Sequence, residues 1–184
     1  FRIVTGVGND SAGASVSSAG DINGDGLADA VMTVPFDNVN ATGNSAYVIY
    51  GKSNASSVYG SSFNVSGIPS SLGFQIKGNL FEFGRAASNA GDMNGDGLND
   101  LLVTGDNNAF VIYGNASGGT IDLVSNNIAS SQGYKITPNT AIDLGGSASG
   151  AGDFNGDGLA DVIVNADNLA YVVYGKSSAS AVAI

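Results

Sequence analysis

Three copies of a nine-residue acidic loop contain the residues of this chain that are best suited to chemistry. The loops share the pattern Asp-x-Asn-Gly-Asp-Gly-Leu-x-Asp and run over residues 21–29, 92–100 and 153–161. Within each loop the first Asp, the Asn and the second Asp stand on alternate residues, and the two glycines allow the backbone to coil tightly. A hard divalent cation that takes about six to eight oxygen ligands suits such a turn. We therefore predict about three Ca²⁺ ions per chain, one in each loop.

The acidic side chains in these loops are hard to explain without a cation. Three carboxylates within nine residues repel one another once they are partly removed from water. Asp and Asn also form turns without any metal, and that alternative stays open, although three full copies disfavour it. If the ion is present, it either pins a hairpin or bridges directly to a ligand, and the first role is the simpler one. The predicted side-chain ligands are Asp21, Asn23, Asp25, Asp29, Asp92, Asn94, Asp96, Asp100, Asp153, Asn155, Asp157 and Asp161.

The charge balance of the chain follows from these loops. Sixteen acidic residues stand against six basic ones, and the formal net charge is −10. Nine of the acidic residues lie in the loops, so one Ca²⁺ per loop would bring the net charge to −4. We interpret the acidity as a supply of ligands and not as a field that steers a cationic partner. The basic residues are scattered and form no stripe, which argues against nucleic acid as a partner.

Several kinds of chemistry are excluded by composition. The chain contains no histidine and no cysteine, which removes the Ser/His/Asp triad, the usual zinc ligands and all thiol chemistry. We therefore expect no enzymatic activity within these residues. No run approaches the roughly 18 apolar residues of a membrane-spanning helix. The chain starts at Phe1 and not at Met, and we expect it to be a piece of a longer, processed protein.

The same order of features returns around each loop. A segment of small residues precedes the loop, an apolar run follows it, and an aromatic run then closes with Tyr-Gly at residues 46–51, 109–114 and 170–175. The aromatic runs are short and β-branched, as is typical of strands. Residues 73–77 and 133–137 alternate apolar and polar side chains, which predicts a further, half-exposed strand. Each repeat thus holds about four short strands in about sixty residues, as in a propeller blade.

Side-chain size agrees with a radial arrangement of these strands. The segments before the loops, residues 14–19, 86–90 and 147–151, consist of small residues, which suits strands that crowd around a central axis. Tyr47 and Tyr50 are three residues apart, so we expect them to point to opposite faces of their sheet. A sheet with bulky side chains on both faces is typically covered on both sides.

The repeats resemble FG-GAP repeats, which form the blades of integrin α-subunit β-propellers and of many bacterial surface proteins. Phe83-Gly84 is similar to the FG pair of that family, Ala90-Gly91 to its GAP element, and residues 92–100 to its calcium loop. Leu144-Gly145 in the third copy and Asn9-Asp10 in the first are looser matches.

The resemblance implies an all-β fold of three four-stranded FG-GAP-type blades that belong to a larger or oligomeric β-propeller. It places Ca²⁺ in the hairpin between the first and second strands of each blade and adds the backbone carbonyls of Leu27, Leu98 and Leu159 to the ligands. It also implies an extracellular or cell-surface module that acts in adhesion or in the recognition of a protein or glycan. The alternative is an accessory propeller domain or fragment of a larger secreted hydrolase or lyase.

The predicted domain organisation is a single β-propeller segment over residues 1–184. Its repeats span about 6–78, 79–138 and 139–184, and residues 1–5 form the outer strand of a neighbouring blade. Three blades are too few to close a ring, since propellers typically use about four to eight. We expect the neighbouring blades to come from the same parent chain or from a homo-oligomer partner, with a two-chain, six-bladed ring as the simplest case.

Three variable stretches connect the predicted strands, at residues 36–45, 54–71 and 117–132. They are rich in Ser, Asn and Gly and are either ligand-binding surfaces or plain solvated connections. Solvated connection is the simpler interpretation of each.

Overall fold

The computed structural model describes residues 1–5, 11–35, 44–78, 83–105, 107–115, 117–140 and 143–184. Almost all of its regular structure is β. The strands, in chain order, are β1 (Arg2–Val4), β2 (Val16–Gly20), β3 (Asp29–Val34), β4 (Ser45–Ile49), β5 (Ser62–Asn64), β6 (Gly73–Lys77), β7 (Ala87–Gly91), β8 (Asp100–Gly105), β9 (Asn108–Ile112), β10 (Ile121–Asp122), β11 (Gly133–Thr137), β12 (Leu144–Gly152), β13 (Asp161–Ala166), β14 (Leu169–Val173) and β15 (Val182–Ala183). A five-residue helix, α1 (Ala55–Tyr59), lies between β4 and β5. Within the described ranges no helix has the length and apolar character needed to cross a membrane.

The long strands form antiparallel meanders, one for each repeat. The order is β2-β3-β4-β6 in the first sheet and β7-β8-β9-β11 in the second. A third sheet contains β12, β13 and β14 in the same arrangement. The predicted all-β fold of propeller blades is thus confirmed. The repeat boundaries at 6–78, 79–138 and 139–184 stay a prediction, because sheet pairing defines strands and not the limits of a domain.

A short parallel strand that the sequence pattern did not predict extends each of the first two sheets. β10 pairs with β6, with Ile121 opposite Ile76, and β15 pairs with β11. Each added strand follows the third strand of the next repeat along the chain. β1 and β5 form a separate pair of the same kind, with Ile3 opposite Phe63. The complete blades are therefore four-stranded meanders extended by one strand from the next repeat.

The apolar side chains pack between the sheets in layers. Tyr47 lies with Met32 and Ile49 on the face that receives α1 and β5, whereas Tyr50 lies with Val48 in the layer between the first and second sheets. The prediction that these tyrosines point to opposite faces is confirmed. A second inter-sheet layer joins the β7–β11 sheet to β12, β13 and β14. The first and second sheets are therefore covered on both faces, which explains the almost continuous apolar composition of their inner strands.

The first strands of the three sheets lie side by side. β7 contacts both β2 and β12, and the backbone N–H of Ala87 donates to Ser15 Oγ at 3.2 Å. A Cβ atom at Gly150 would lie only 2.6 Å from the carbonyl oxygen of Asn89. Small residues before the loops are therefore a steric requirement of this crowded inner edge, because larger side chains would force the strands apart.

The Phe-Gly pair lies at the junction between neighbouring sheets. Phe83 is buried against Phe110 in the layer between the first two sheets. Gly84 has φ of +85° and approaches Thr33 so closely that a Cβ atom would lie 2.9 Å from Thr33 Cβ. Leu144-Gly145 occupies the corresponding place in the third repeat, with Leu144 buried and Gly145 against Thr104. Asn9-Asp10 lies outside the described residues.

Two of the variable stretches contribute to the core. The stretch 54–71 contains α1 and β5, and its residues Tyr59 and Val65 are buried in the layer on the first sheet. The stretch 117–132 contains β10 and the buried Leu123. Plain solvated connection is therefore wrong for parts of both stretches, since these parts contain buried core residues and a paired strand. In the remaining stretch, residues 36–45, positions 36–43 lie outside the described residues.

Candidate metal centres

Each acidic loop connects the first and second strands of its sheet. The loops join β2 to β3, β7 to β8 and β12 to β13. Gly24 and Gly26 have φ values of +76° and +84°, and the glycines at the same positions of the other loops have φ between +78° and +90°. L-residues with side chains rarely adopt this left-handed region. The two glycines are therefore required for the turn to coil back on its first residue.

The first aspartate of each loop holds the turn together. Asp21 Oδ1 accepts the backbone N–H groups of Gly24 at 2.8 Å and Asp25 at 3.0 Å, and Oδ2 accepts that of Gly26 at 2.8 Å. Asp92 and Asp153 make the same three bonds, at distances from 2.7 to 3.2 Å. The loop backbone is thus ordered by its own carboxylate.

The Asn and the second Asp are drawn together beside this frame. Asn23 Nδ2 donates to Asp25 Oδ2 at 3.2 Å, while Asn23 Oδ1 accepts the Asp25 backbone N–H at 2.9 Å. Asp25 Oδ1 accepts the N–H of Leu27 at 3.0 Å. The same contacts recur at 2.8–2.9 Å in the second and third loops, through the residues Asn94, Asp96, Leu98, Asn155, Asp157 and Leu159. The leucines, whose carbonyls are the remaining predicted ligands, are therefore tied to the second aspartate.

The last aspartate of each loop is a buried carboxylate. Asp100 is fully buried; its Oδ2 accepts the N–H of Met93 at 2.9 Å and its Oδ1 accepts the N–H of Gly114 at 2.9 Å. Asp29 and Asp161 are at most 3% exposed and make the same two kinds of bond at 2.7–3.0 Å. Each of these carboxylates links its loop to the end of the third strand.

The glycine that ends each aromatic run belongs to the site, a role that the sequence pattern did not predict. Gly51, Gly114 and Gly175 donate their backbone N–H to the buried aspartate. A Cβ atom on any of them would lie 2.4–2.6 Å from a carbonyl oxygen of the loop. The recurring Tyr-Gly was the available signal, but its meaning depends on a contact with a distant segment of the chain.

Burial and like charge disfavour ionisation of the last aspartate in the first and second loops. Desolvation by burial, together with the neighbouring charges of Asp96 and Asp92, raises the pKa of Asp100 to about 7, although the two backbone hydrogen bonds act to lower it. The pKa of Asp29 is raised for the same reasons. A cation beside the loop would oppose both effects, because it stabilises the ionised carboxylate. In the first loop Lys52 Nζ lies 3.3 Å from Asp25 Oδ2 and supplies part of such a charge.

The donor set fits calcium. Each loop offers three carboxylates, one amide oxygen and one backbone carbonyl, and these hard oxygen donors are the ligands that Ca²⁺ prefers. Hydrogen bonding brings the first three side chains of each loop together around the turn, and the last aspartate lies at the base of the loop. Across the described ranges, no three acidic side chains converge closely enough to form a metal-binding group by themselves. Backbone N–H groups occupy the carboxylate oxygens instead.

Neighbouring loops are joined to one another. The carbonyl of Asp21 accepts the N–H of Asn99 at 3.1 Å, and the carbonyl of Ile22 accepts the N–H of Asn115 at 2.8 Å. The second and third loops repeat this pair of bonds, from Ala160 to Asp92 at 2.9 Å and from Lys176 to Met93 at 2.7 Å. The loops therefore form a continuous row along one edge of the blades.

Comparison with known families agrees with the fold and the loops. The FG-GAP repeat model matches residues 12–59 and 145–184, and the FG-GAP-like repeat model matches residues 92–164. Together these matches include all three acidic loops and most of the strands. A search of curated proteins found no match. The chain belongs to the FG-GAP repeat family and forms blades of a β-propeller-type module.

Proposed function

We propose that this chain is a calcium-stabilised β-propeller module in which each acidic loop holds one Ca²⁺. The observation that carries the proposal is the threefold repetition of one oxygen-donor frame around a buried aspartate. The ligands would be the Asp, Asn, Asp and last Asp side chains of each loop together with the Leu carbonyl. A bound ion would supply the positive charge that a buried carboxylate beside two others requires.

The ion would act on more than its own loop. The last aspartate joins the loop to the end of the third strand, as Asp100 does through Gly114. The loop backbone also joins the next blade: in the first loop its carbonyls accept the N–H groups of Asn99 and Asn115. Fixing the loop therefore fixes the first three strands of one blade and their contact with the next. Binding to the folded state alone stabilises that state by mass action, so we expect calcium to raise the unfolding temperature of the whole chain.

We propose a non-catalytic role in recognition outside the cell, with a protein or glycan as the ligand. Calcium sites of extracellular modules bind with dissociation constants of about 10⁻⁴–10⁻³ M, which extracellular calcium fills. The acidic pairs that general acid and base chemistry would need belong to the loops in our assignment. The neighbouring blades that complete the propeller would come from a longer parent chain or from a second copy.

The first test is a count of bound calcium. Native mass spectrometry and calorimetric titration of the chelator-treated protein should give about three ions per chain, and a chain with Asp25→Asn, Asp96→Asn and Asp157→Asn should bind fewer than one ion per chain at millimolar calcium. Failure of the unmodified chain to bind calcium would overturn the proposal. A glycan and matrix-protein binding screen with and without chelator, run beside a panel of hydrolase assays, separates recognition from the enzymatic alternative.

A further inference from the structure

The outer face of the third blade exposes apolar side chains that the other blades bury. Phe154 is 66% exposed, whereas Ile22 and Met93, which hold the same loop position in the first two repeats, are fully buried. Tyr174 is 51% exposed, whereas its counterpart Tyr50 is 4% exposed. Ile163 is also exposed on this face, whereas Val31 and Leu102, which hold the same strand position in the first two sheets, are buried. The first two blades bury these positions against the following blade, so this face has the composition of an inter-blade contact.

In the part of the chain that the structure describes, β14 and β1 each pair on one side only, although the corresponding strands of the complete blades pair on both sides. β14 lies at the edge of its sheet, where β4 and β9 in the other blades pair with a fourth strand. β1 pairs only with β5, whereas the fourth strands β6 and β11 pair on both sides. Among the described residues, the third sheet therefore has no fourth strand, and β1 resembles a fourth strand but pairs with no third strand.

β1 has the sequence and register of a fourth strand. Ile3 stands opposite Phe63 in parallel pairing, as Ile76 stands opposite Ile121 and Ile136 opposite Val182. This alignment places three similar segments in the same position, Phe1-Arg2-Ile3-Val4, Phe74-Gln75-Ile76-Lys77 and Tyr134-Lys135-Ile136-Thr137. The aromatic residue is buried in the two complete blades, but Phe1 is exposed.

We propose that two copies of this chain associate, with β1 of each copy completing the third blade of the other. The register follows from the complete blades, where Tyr47 stands opposite Gln75 and Phe110 opposite Lys135. By the same register, Tyr171 stands opposite Arg2 of the second copy. The exposed edge of β14 is then covered, as exposed edges in native proteins usually are.

The acidic loops provide an independent match between the two open faces. Leu98 packs on Gly24 and Leu159 on Gly95, at 2.8 and 3.1 Å from a Cβ built on each glycine, while a Cβ on Gly156 would meet nothing within 4 Å. Leu27 is the remaining leucine of the series and is partly exposed. In the proposed assembly Leu27 of the second copy packs on Gly156.

The backbone bonds between neighbouring loops extend the same match. The carbonyls of the first two loop residues accept N–H groups from the next repeat at both existing junctions. In the assembly the carbonyls of Asp153 and Phe154 would accept the N–H groups of Ala28 and Lys52 of the second copy. The two faces that meet are both present on one chain, so a reciprocal exchange is isologous and closes with two-fold symmetry. Six blades result, within the usual range of about four to eight.

A disulfide cross-link tests the register directly, because the chain contains no cysteine. A chain with Arg2→Cys and Tyr171→Cys should form an intermolecular disulfide on mild oxidation, since directly opposite residues lie within bonding reach. The matched control carries Ile3→Cys and Tyr171→Cys; adjacent strand residues point to opposite faces, so it should stay unlinked. Equal linking of both chains, or of neither, would overturn the register.

The association itself is tested by the mass of the full chain in calcium buffer at micromolar concentration. Light scattering should give twice the 18.2 kDa chain mass. Phe154→Asp should weaken the dimer about tenfold or more, as expected for an aromatic anchor, while Val124→Asp, at a position 49% exposed in another loop, should not. A chain that binds calcium but remains a monomer, or that forms an open-ended series of larger species, would overturn this inference and leave the calcium proposal intact.

Discussion

Replacement of Asp96 by Asn isolates the contribution of one carboxylate to the second loop. Asp96 is exposed, and its Oδ1 accepts the N–H of Leu98 at 2.9 Å. Asn keeps that acceptor and loses only the exposed contact with Asn94 Nδ2. Without calcium, the free energy of unfolding of the variant should therefore lie within about 0.5 kcal/mol of that of the unmodified chain, as is usual for surface substitutions. Any larger effect in calcium must come from the ion.

The magnitude follows from binding linkage. A site with a dissociation constant of about 10⁻⁴ M, in about 2 mM calcium, stabilises the folded state by about 1.8 kcal/mol. If the loss of one of three carboxylates weakens binding about a hundredfold, the remaining stabilisation is about 0.1 kcal/mol. The difference corresponds to a decrease of about 3–7 °C in the unfolding temperature of a chain of this size.

The assay is thermal unfolding, followed by circular dichroism, in calcium and in chelator. Asp122→Asn is the matched control, because Asp122 is also exposed and also accepts a backbone N–H, from Val124 at 3.0 Å, but lies in β10 outside the loops. Asp122→Asn should change the unfolding temperature by the same amount in calcium and in chelator. An Asp96→Asn chain that loses the same stability in both buffers, or none in calcium, would refute the assignment of this loop as a calcium site.

Two further predictions concern groups around the loops. Lys52→Met should raise the calcium affinity of the first loop by about two- to fivefold, because it removes an exposed ion pair with Asp25 worth up to about 1 kcal/mol; site-resolved titration, with the other two loops as internal controls, measures this, and an unchanged or lower affinity would contradict it. Gly114→Ala should destabilise the fold by about 1–3 kcal/mol, because the added Cβ would lie 2.6 Å from the Asn99 carbonyl oxygen. Gly146→Ala is the control, since its nearest contact is a flexible Arg side chain at 3.3 Å; equal loss in both chains by chemical denaturation would argue against the steric explanation.

The residue pattern alone predicts the parts of the structure that arise from local interactions. The predicted strands at residues 73–77 and 133–137 have those limits as β6 and β11. The frame of each acidic loop consists of hydrogen bonds that span at most five residues from its first aspartate. Because these hydrogen bonds lie within the nine-residue motif, each copy of the motif predicts a copy of the turn. The FG-GAP resemblance rests on the same local patterns.

The distant residues that complete each loop and each sheet depend on how the chain packs in three dimensions. The buried Asp100 depends on the N–H of Gly114, fourteen residues away, and β10 joins a strand of the preceding repeat, although two residues carry no strand signal of their own. The exposure of Phe154 against the burial of Ile22 and Met93 is likewise invisible in their residue types. The physical reason is that burial and backbone pairing depend on neighbours in space, and a blade acquires its neighbours only when the sheets pack side by side.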